Sequence, residues 1–211
     1  LTALMVTARP LAGQSYLDQG TGIPVLGAAW VWTRDGHAAP EVLVRPEGHG
    51  ATAAIRWAGL GGPDDTTQVF TLQAPALDSA ETFTLKSDAA WLLAPPTVLV
   101  GRQPVALTLG YRPAALQAAG TYSAVVTGWT SDTAAGPAFR LVNTVVVPRP
   151  GSDFSLAPVV VPATSERRFF VTADSGRPFI MSARAPAGGG QVLLAFLQEP
   201  GGQPARDAVP E

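Results

Sequence analysis

The chain has no cysteine, which removes disulfides, thiolate nucleophiles and cysteine-ligated zinc together. It has two histidines, His37 and His49, without the close spacing of a metal-ligand pair. Lys86 is the sole lysine among 14 basic residues, and charged residues make up only 14% of the 211. With a net charge of -2 and no basic patch, nothing attracts nucleic acid or an anionic membrane electrostatically. No apolar run approaches the ~20 residues that span a bilayer, and no signal peptide opens the chain, which says nothing about export for a segment of a longer protein. The one candidate for a cation is Asp64-Asp65 after Gly61-Gly62-Pro63, a loop that could hold calcium but reads more simply as a solvated turn. No cofactor, metal ligand or catalytic residue is assigned.

What the chain does have is 46% hydrophobic residues with 22 glycines and 20 prolines, the texture of a β-rich globular protein with many turns. Residues 1–33 read as a short helix, a loop through Gly13 and Gln14, and a Gly-rich segment whose Trp30 and Trp32 dock on a neighbour. The helix rests on a stripe of Leu1, Leu4, Met5 and Ala8, has no N-cap and stops at Pro10. From Arg34 the pattern becomes β. Glu41 to Arg45, Ala53 to Trp57, Thr67 to Gln73, Glu81 to Lys86, Val98 to Val100 and Val105 to Tyr111 are short runs separated by Pro and Gly clusters.

The clearest unit is residues 120–148, GTYSAVVTGWTSDTAAGPAFRLVNTVVVP. Tyr122 to Trp129 and Phe139 to Val147 are β-branched and aromatic, and the turn formers Ser131 to Pro137 separate them, so the stretch reads as a β-hairpin. Its second strand places Phe139, Leu141, Val145 and Val147 on the core face and Arg140, Val142, Thr144 and Val146 on the other. About eight strands at this spacing give a mainly β fold, an Ig/fibronectin-like β-sandwich over residues 34–149. The Pro148-Arg149-Pro150-Gly151-Ser152 stretch is a linker, so a boundary falls there. Beyond it, Asp153 to Val161, Arg167 to Thr172, Phe179 to Ala183 and Gln191 to Leu197 read as four strands of a smaller β unit, 150–211, with a fraying tail from Pro200.

The hairpin carries a Gly-x-Tyr strand, then Gly128-Trp129, then Gly136-Pro137-Ala138-Phe139-Arg140 running into a Val-rich strand. In this it resembles the region after the catalytic domain in tripeptidyl peptidase II-like subtilases. Leu85 to Pro96 (LKSDAAWLLAPP) is similar to a strand, Trp and Pro segment of these proteins, and Val105 to Gly120 to the connection that follows it. Upstream, Tyr16, Gly20 and Gly22 in YLDQGTGIPVLGAAW are similar to the Tyr-x-x-Gly-x-Gly stretch ending a subtilisin-type catalytic domain, and Arg167 to Val171 resembles the strand opening the family's next β unit. The resemblance implies that residues 1–33 are the tail of an upstream catalytic domain. It further implies that the Asp, His and Ser of the triad precede Leu1, and that 150–211 is an incomplete, jelly-roll-like unit whose cut edges invite homo-oligomers.

A subtilase needs base, orienter and nucleophile to converge, the Ser in a Gly-Thr-Ser elbow, and the sequence contains no such elbow. Asp174-Ser175-Gly176 has the letters of a catalytic turn but occurs once, whereas an aspartic peptidase needs two carboxylates sharing a proton, so it reads as turn chemistry. His49-Gly50-Ala51-Thr52 echoes a subtilase histidine motif without its second His and reads as a loop tip. The expected function is a non-catalytic accessory region of a subtilisin-like serine peptidase, serving packing on the catalytic domain, assembly or substrate access. A free-standing module binding glycans or cell-surface partners through Trp30, Trp32, Trp57, Trp91 and Trp129 is the alternative, although a Trp on an inward strand position is usually a core anchor, and Trp91, flanked by Ala89, Ala90, Leu92 and Leu93, is expected in the sandwich core. Localisation stays open, with a secreted or cell-surface setting ranked over the cytoplasm.

Overall fold

A computed structural model describes residues 1–149 apart from 13, 50, 51 and 63, together with residues 169–172. Chain contacts divide into two compact units, Leu1–Arg149 and Pro150–Glu211. In the second unit only Phe169, Phe170, Val171 and Thr172 are described, with Val171 in an isolated bridge. The other strands expected there, and Asp174-Ser175-Gly176, lie outside the described residues.

The first unit opens with three short helices, α1 (Thr2–Val6), α2 (Tyr16–Gln19) and α3 (Leu26–Arg34). Nine strands follow: β1 (Leu43–Pro46), β2 (Ala53–Arg56), β3 (Thr67–Gln73), β4 (Glu81–Ser87), β5 (Leu92–Leu93), β6 (Thr97–Val100), β7 (Val105–Tyr111), β8 (Gly120–Trp129) and β9 (Pro137–Val147). They form a four-stranded sheet, β1-β3-β7-β5, and a five-stranded sheet, β2-β9-β8-β4-β6. The first has the A-B-E-D order of an immunoglobulin-type sandwich, and the second carries its G-F-C order with a strand added at each end. The pairing of β2 with β9 is parallel, and the other ladders are antiparallel.

The expectation of about eight strands missed β5, whose two residues are too few to show a period. It also gave no helix over α3. There Gly27 is the only glycine in LGAAWVWTR, and the glycines that gave the segment its loop-like look, Gly20 and Gly22, precede it. The stripe assigned to α1 is corrected too. Of its members only Ala8, which follows the helix, is buried; Leu1 and Met5 are 92% and 58% exposed, and within α1 the buried residue is Val6.

Alternation builds the core. Phe70 and Leu72 of β3 and Leu107, Leu109 and Tyr111 of β7 face Phe83 and Leu85 of β4, Ala124 and Val126 of β8, and Phe139, Leu141 and Val145 of β9, all buried. Phe83 and Phe139 meet edge to face with centroids 5.3 Å apart, a geometry that adds to their area burial. Gly128 makes room for this pair, since a Cβ there would fall inside the Phe139 ring. The sheets are also pinned by one polar contact: the Tyr111 hydroxyl donates to Asn143 Oδ1 at 2.9 Å, and Asn143 Nδ2 donates to the Leu141 carbonyl at 3.0 Å. Asn143 is fully buried, so each of these bonds prevents an orphaned polar group.

Trp91, which its apolar neighbours suggested for the core, is half-buried and packs against it. Its ring lies 6.0 Å from Tyr111 and 6.5 Å from Tyr122, and the buried position next to it belongs to Leu92. Full burial would make truncation to alanine cost ~3–5 kcal/mol. For a half-covered ring the expected cost of Trp91→Ala is about 1.5–3 kcal/mol. A urea melt showing a loss below about 0.5 kcal/mol would mean the two tyrosine contacts carry no stability.

Candidate functional site

On the face of β9 opposite the core side, Val142, Thr144 and Val146 are as buried as the core residues, and so is Val125, the partner of Val142 on β8. Helices α1 and α2 lie against β9, and α2 also reaches β8. Tyr16 and Arg140 make this junction together with residues outside their motifs.

Arg140, half-buried on this face, reaches the end of α1 and donates from Nη1 to the Met5 carbonyl at 2.6 Å and from Nη2 to the Val6 carbonyl at 3.0 Å. The last carbonyls of a helix have no partner inside it, so the guanidinium supplies what α1 lacks. Desolvation lowers the Arg140 pKa from its ordinary value, with the nearby Tyr16 acting in the opposite direction.

Tyr16, at the start of α2, donates its hydroxyl to Asp88 Oδ2 at 2.9 Å, and the other oxygen of Asp88 accepts the Val125 backbone N–H at 2.8 Å. Asp88 thus ties α2 to β8 through one carboxylate. Burial first, and the carboxylate next to it second, push the Tyr16 pKa from 10.0 up to about 12. The folded value is raised, so the Tyr16 contribution to stability is complete below pH 10 and is lost as the pH climbs towards about 12.

The turn of the hairpin is held from the same side. Asp132 caps its 3-10 turn, Thr133–Ala135, by accepting from Ala134 N at 3.0 Å. The Ala135 carbonyl then accepts from Trp32 Nε1 at 2.7 Å. Gly136 has φ 80, and a Cβ added there would stand 2.5 Å from Val6 Cγ1, so a side chain is excluded by both backbone and neighbour. Upstream, Gly22 has φ 109 and lets the chain cross Arg9, with which Ile23 exchanges two backbone bonds of 2.9 and 3.0 Å. Gly136 and Arg140 of the hairpin and Tyr16 and Gly22 of the upstream segment all take part in this joint. Sequence reading found Tyr16, Gly136 and Arg140 as motif letters but missed Asp88, whose only signal was an Asp directly after a strand.

The other singled-out residues do not converge with these. Asp65 accepts from the Gly61 N–H at 2.9 Å and pairs with Arg56. The Gly61 bond and the guanidinium hold its carboxyl below the usual range, and both reach one oxygen, Oδ2. Arg56 also sits over the Tyr111 ring, 5.2 Å from its centroid. His37 packs on Trp32 with ring centres 6.2 Å apart, and His49 is in the loop after β1. Of the five tryptophans, Trp30 is 69% exposed and the other four are half-buried. Trp129 donates to Thr127 Oγ1 at 2.8 Å, under the Lys86 ammonium. Among the described residues no group of three or more His, Asp or Glu is placed to hold a metal, and no helix is long and apolar enough to cross a membrane.

No family model matches the chain, and neither does any curated protein. Among solved structures, a crystal structure of tripeptidyl peptidase 2 (TPP II) shares its fold, with a TM-score of 0.55 and 21% identity over 78% of this chain. The shared region occupies 15% of that longer chain. At this identity the likeness establishes the fold, a two-sheet β architecture with short helices before it, resembling one region of a larger peptidase.

Proposed function

We propose that this chain is a non-catalytic accessory region of a subtilisin-like serine peptidase, in which residues 1–33 belong to the catalytic domain's end and the β-sandwich is clamped onto them. The observation that carries this is the two-sided character of the helical layer. One side is bound to the hairpin through Val6, Tyr16, Trp32 and Arg140. The other presents Leu1, Met5, Leu26 and Trp30, exposed by 92%, 58%, 74% and 69%. Exposed apolar side chains concentrated on two short helices suit an interaction site, and the motif resemblance together with the fold likeness to TPP II supports a peptidase domain as the partner. The sandwich serves as a rigid buttress, holding the last helices of the catalytic domain by hydrogen bonds to their carbonyls.

Two measurements test this. A fluorophosphonate probe is expected to leave every serine of this chain unlabelled, and stoichiometric labelling of any serine would overturn the non-catalytic reading. The coding sequence before Leu1 is expected to contain a Gly-Thr-Ser-x-Ala elbow within a few dozen residues. Finding an unrelated sequence there would remove the peptidase partner.

A further inference from the structure

β6 ends the five-stranded sheet and, among the described residues, pairs on one side only, with β4. Among the described residues, no backbone bond outside that ladder reaches Thr97, Val98, Leu99 or Val100. Natural sheets blunt such edges with lysine, proline or a bulge. The edge strand β1 contains Arg45 and Pro46, β5 is two residues long, and β2 ends in the ion-paired Arg56. β6 is Thr-Val-Leu-Val, uncharged and proline-free, with Leu99 58% exposed. At its C-terminal end a cleft of about 390 Å³ opens, lined by Leu77, Leu99, Pro104 and Val105. The Arg102 side chain at its rim is held by the Leu77 carbonyl at 2.7 Å and by Asp78 at 2.8 Å.

We propose that β6 takes up an extended peptide segment of another polypeptide, which adds a strand to the sheet and places an apolar side chain in the cleft beside Leu99. An unpaired strand edge asks for alternating backbone donors and acceptors, which only an extended chain supplies. A second copy of this protein is the weaker occupant. Four residues at ~3.3 Å each give a paired length of about 13 Å, whose burial falls far short of the ~1,200 Å² of a stable specific interface, whereas a flexible peptide can also follow the cleft. The proposal stands independently of the peptidase reading, since it uses only the edge and the cleft.

The probe is a capped peptide of alternating threonine and valine flanked by lysines, tested beside a twin N-methylated at every threonine and valine, so that neither of its edges keeps a backbone donor. Titrated into ¹⁵N-labelled protein, the plain peptide is expected to bind with a Kd of hundreds of micromolar, to shift the amides of Thr97–Val100, and to slow their hydrogen exchange about fivefold. The N-methylated twin, deprived of donors, should bind at least about tenfold more weakly. Leu99→Lys, at an exposed position that leaves the fold intact, should weaken the plain peptide by a similar factor. Equal binding of both peptides, or shifts mapping away from β6, would overturn the proposal. So would a concentration-dependent dimer that Leu99→Lys dissolves while neither peptide binds, an outcome that assigns the edge to a second copy.

Discussion

A chain beginning at Asp35 is expected to lose most of its folding stability, although it keeps all nine strands. Removing residues 1–34 takes away both acceptors of Arg140, the hydroxyl on Asp88, the indole on Ala135 and the Val6 side chain over Gly136. It uncovers the part of the β8–β9 outer face that α1 and α2 cover, where Val125 and Val142 are each 6% exposed. Burying a valine fully contributes ~1.5–3 kcal/mol, and hydrogen bonds to a charged group ~1.5–3 kcal/mol each. Two valines and the two Arg140 bonds together give about 6–12 kcal/mol, comparable with the ~5–15 kcal/mol that holds a typical domain folded. The truncated chain should therefore melt at much lower urea or be recovered as aggregate, and Arg140→Met in the full chain should show part of the loss, about 3–6 kcal/mol for its two bonds. A truncated chain melting within about 1 kcal/mol of the full one would show that the helical layer only rests on the sandwich.

That dependence explains what the sequence could and could not disclose. The β8–β9 hairpin was legible because it is local. Its two strands are neighbours in the chain and in the sheet, and it is the only consecutive pair of strands that share a sheet. Thr67–Gln73 and Val105–Tyr111 were located residue for residue from β-propensity and flanking turns. Their pairing was not, since it joins strands with three others between them in sequence. The cover over the outer face of β9 was not legible for a related reason. Alternation separates two faces but does not say that both are covered, and what covers this one lies more than a hundred residues earlier, as the Arg140 to Val6 bond shows.

The candidate joint was half legible. Motif letters such as Gly136 and Arg140 mark positions where a side chain is forbidden or required, so they stand out within a segment. Asp88 and Trp32 act through backbone groups on distant elements, the Val125 N–H and the Ala135 carbonyl. Nothing in their immediate neighbourhood carries that information. Trp91 was placed too deep because apolar neighbours signal burial without saying which of two adjacent residues points inward; Leu92 does, and is 1% exposed.

The coupling between Gly128 and Phe139 should be the strongest within the core. The two face each other across the β8–β9 ladder, beside the register shift at Gly128 and Trp129. Phe139 is 5% exposed and locked edge to face with Phe83, so Phe139→Ala is expected to cost ~3–5 kcal/mol through lost burial and a cavity. Gly128→Ala introduces a methyl where the Phe139 ring already lies, and the ring cannot retreat without disturbing Phe83. Overpacking of this sort costs about 1–3 kcal/mol. In the double variant the new methyl enters space that the ring has left, so the clash disappears and part of the cavity is filled. The double variant should then be no less stable than Phe139→Ala alone, giving a favourable interaction energy of at least about 1–2 kcal/mol in a thermodynamic cycle. Strict additivity of the two single losses in chemical melts would mean that the ring does not depend on the bare glycine, and that Gly128 is there for the bulge rather than for Phe139.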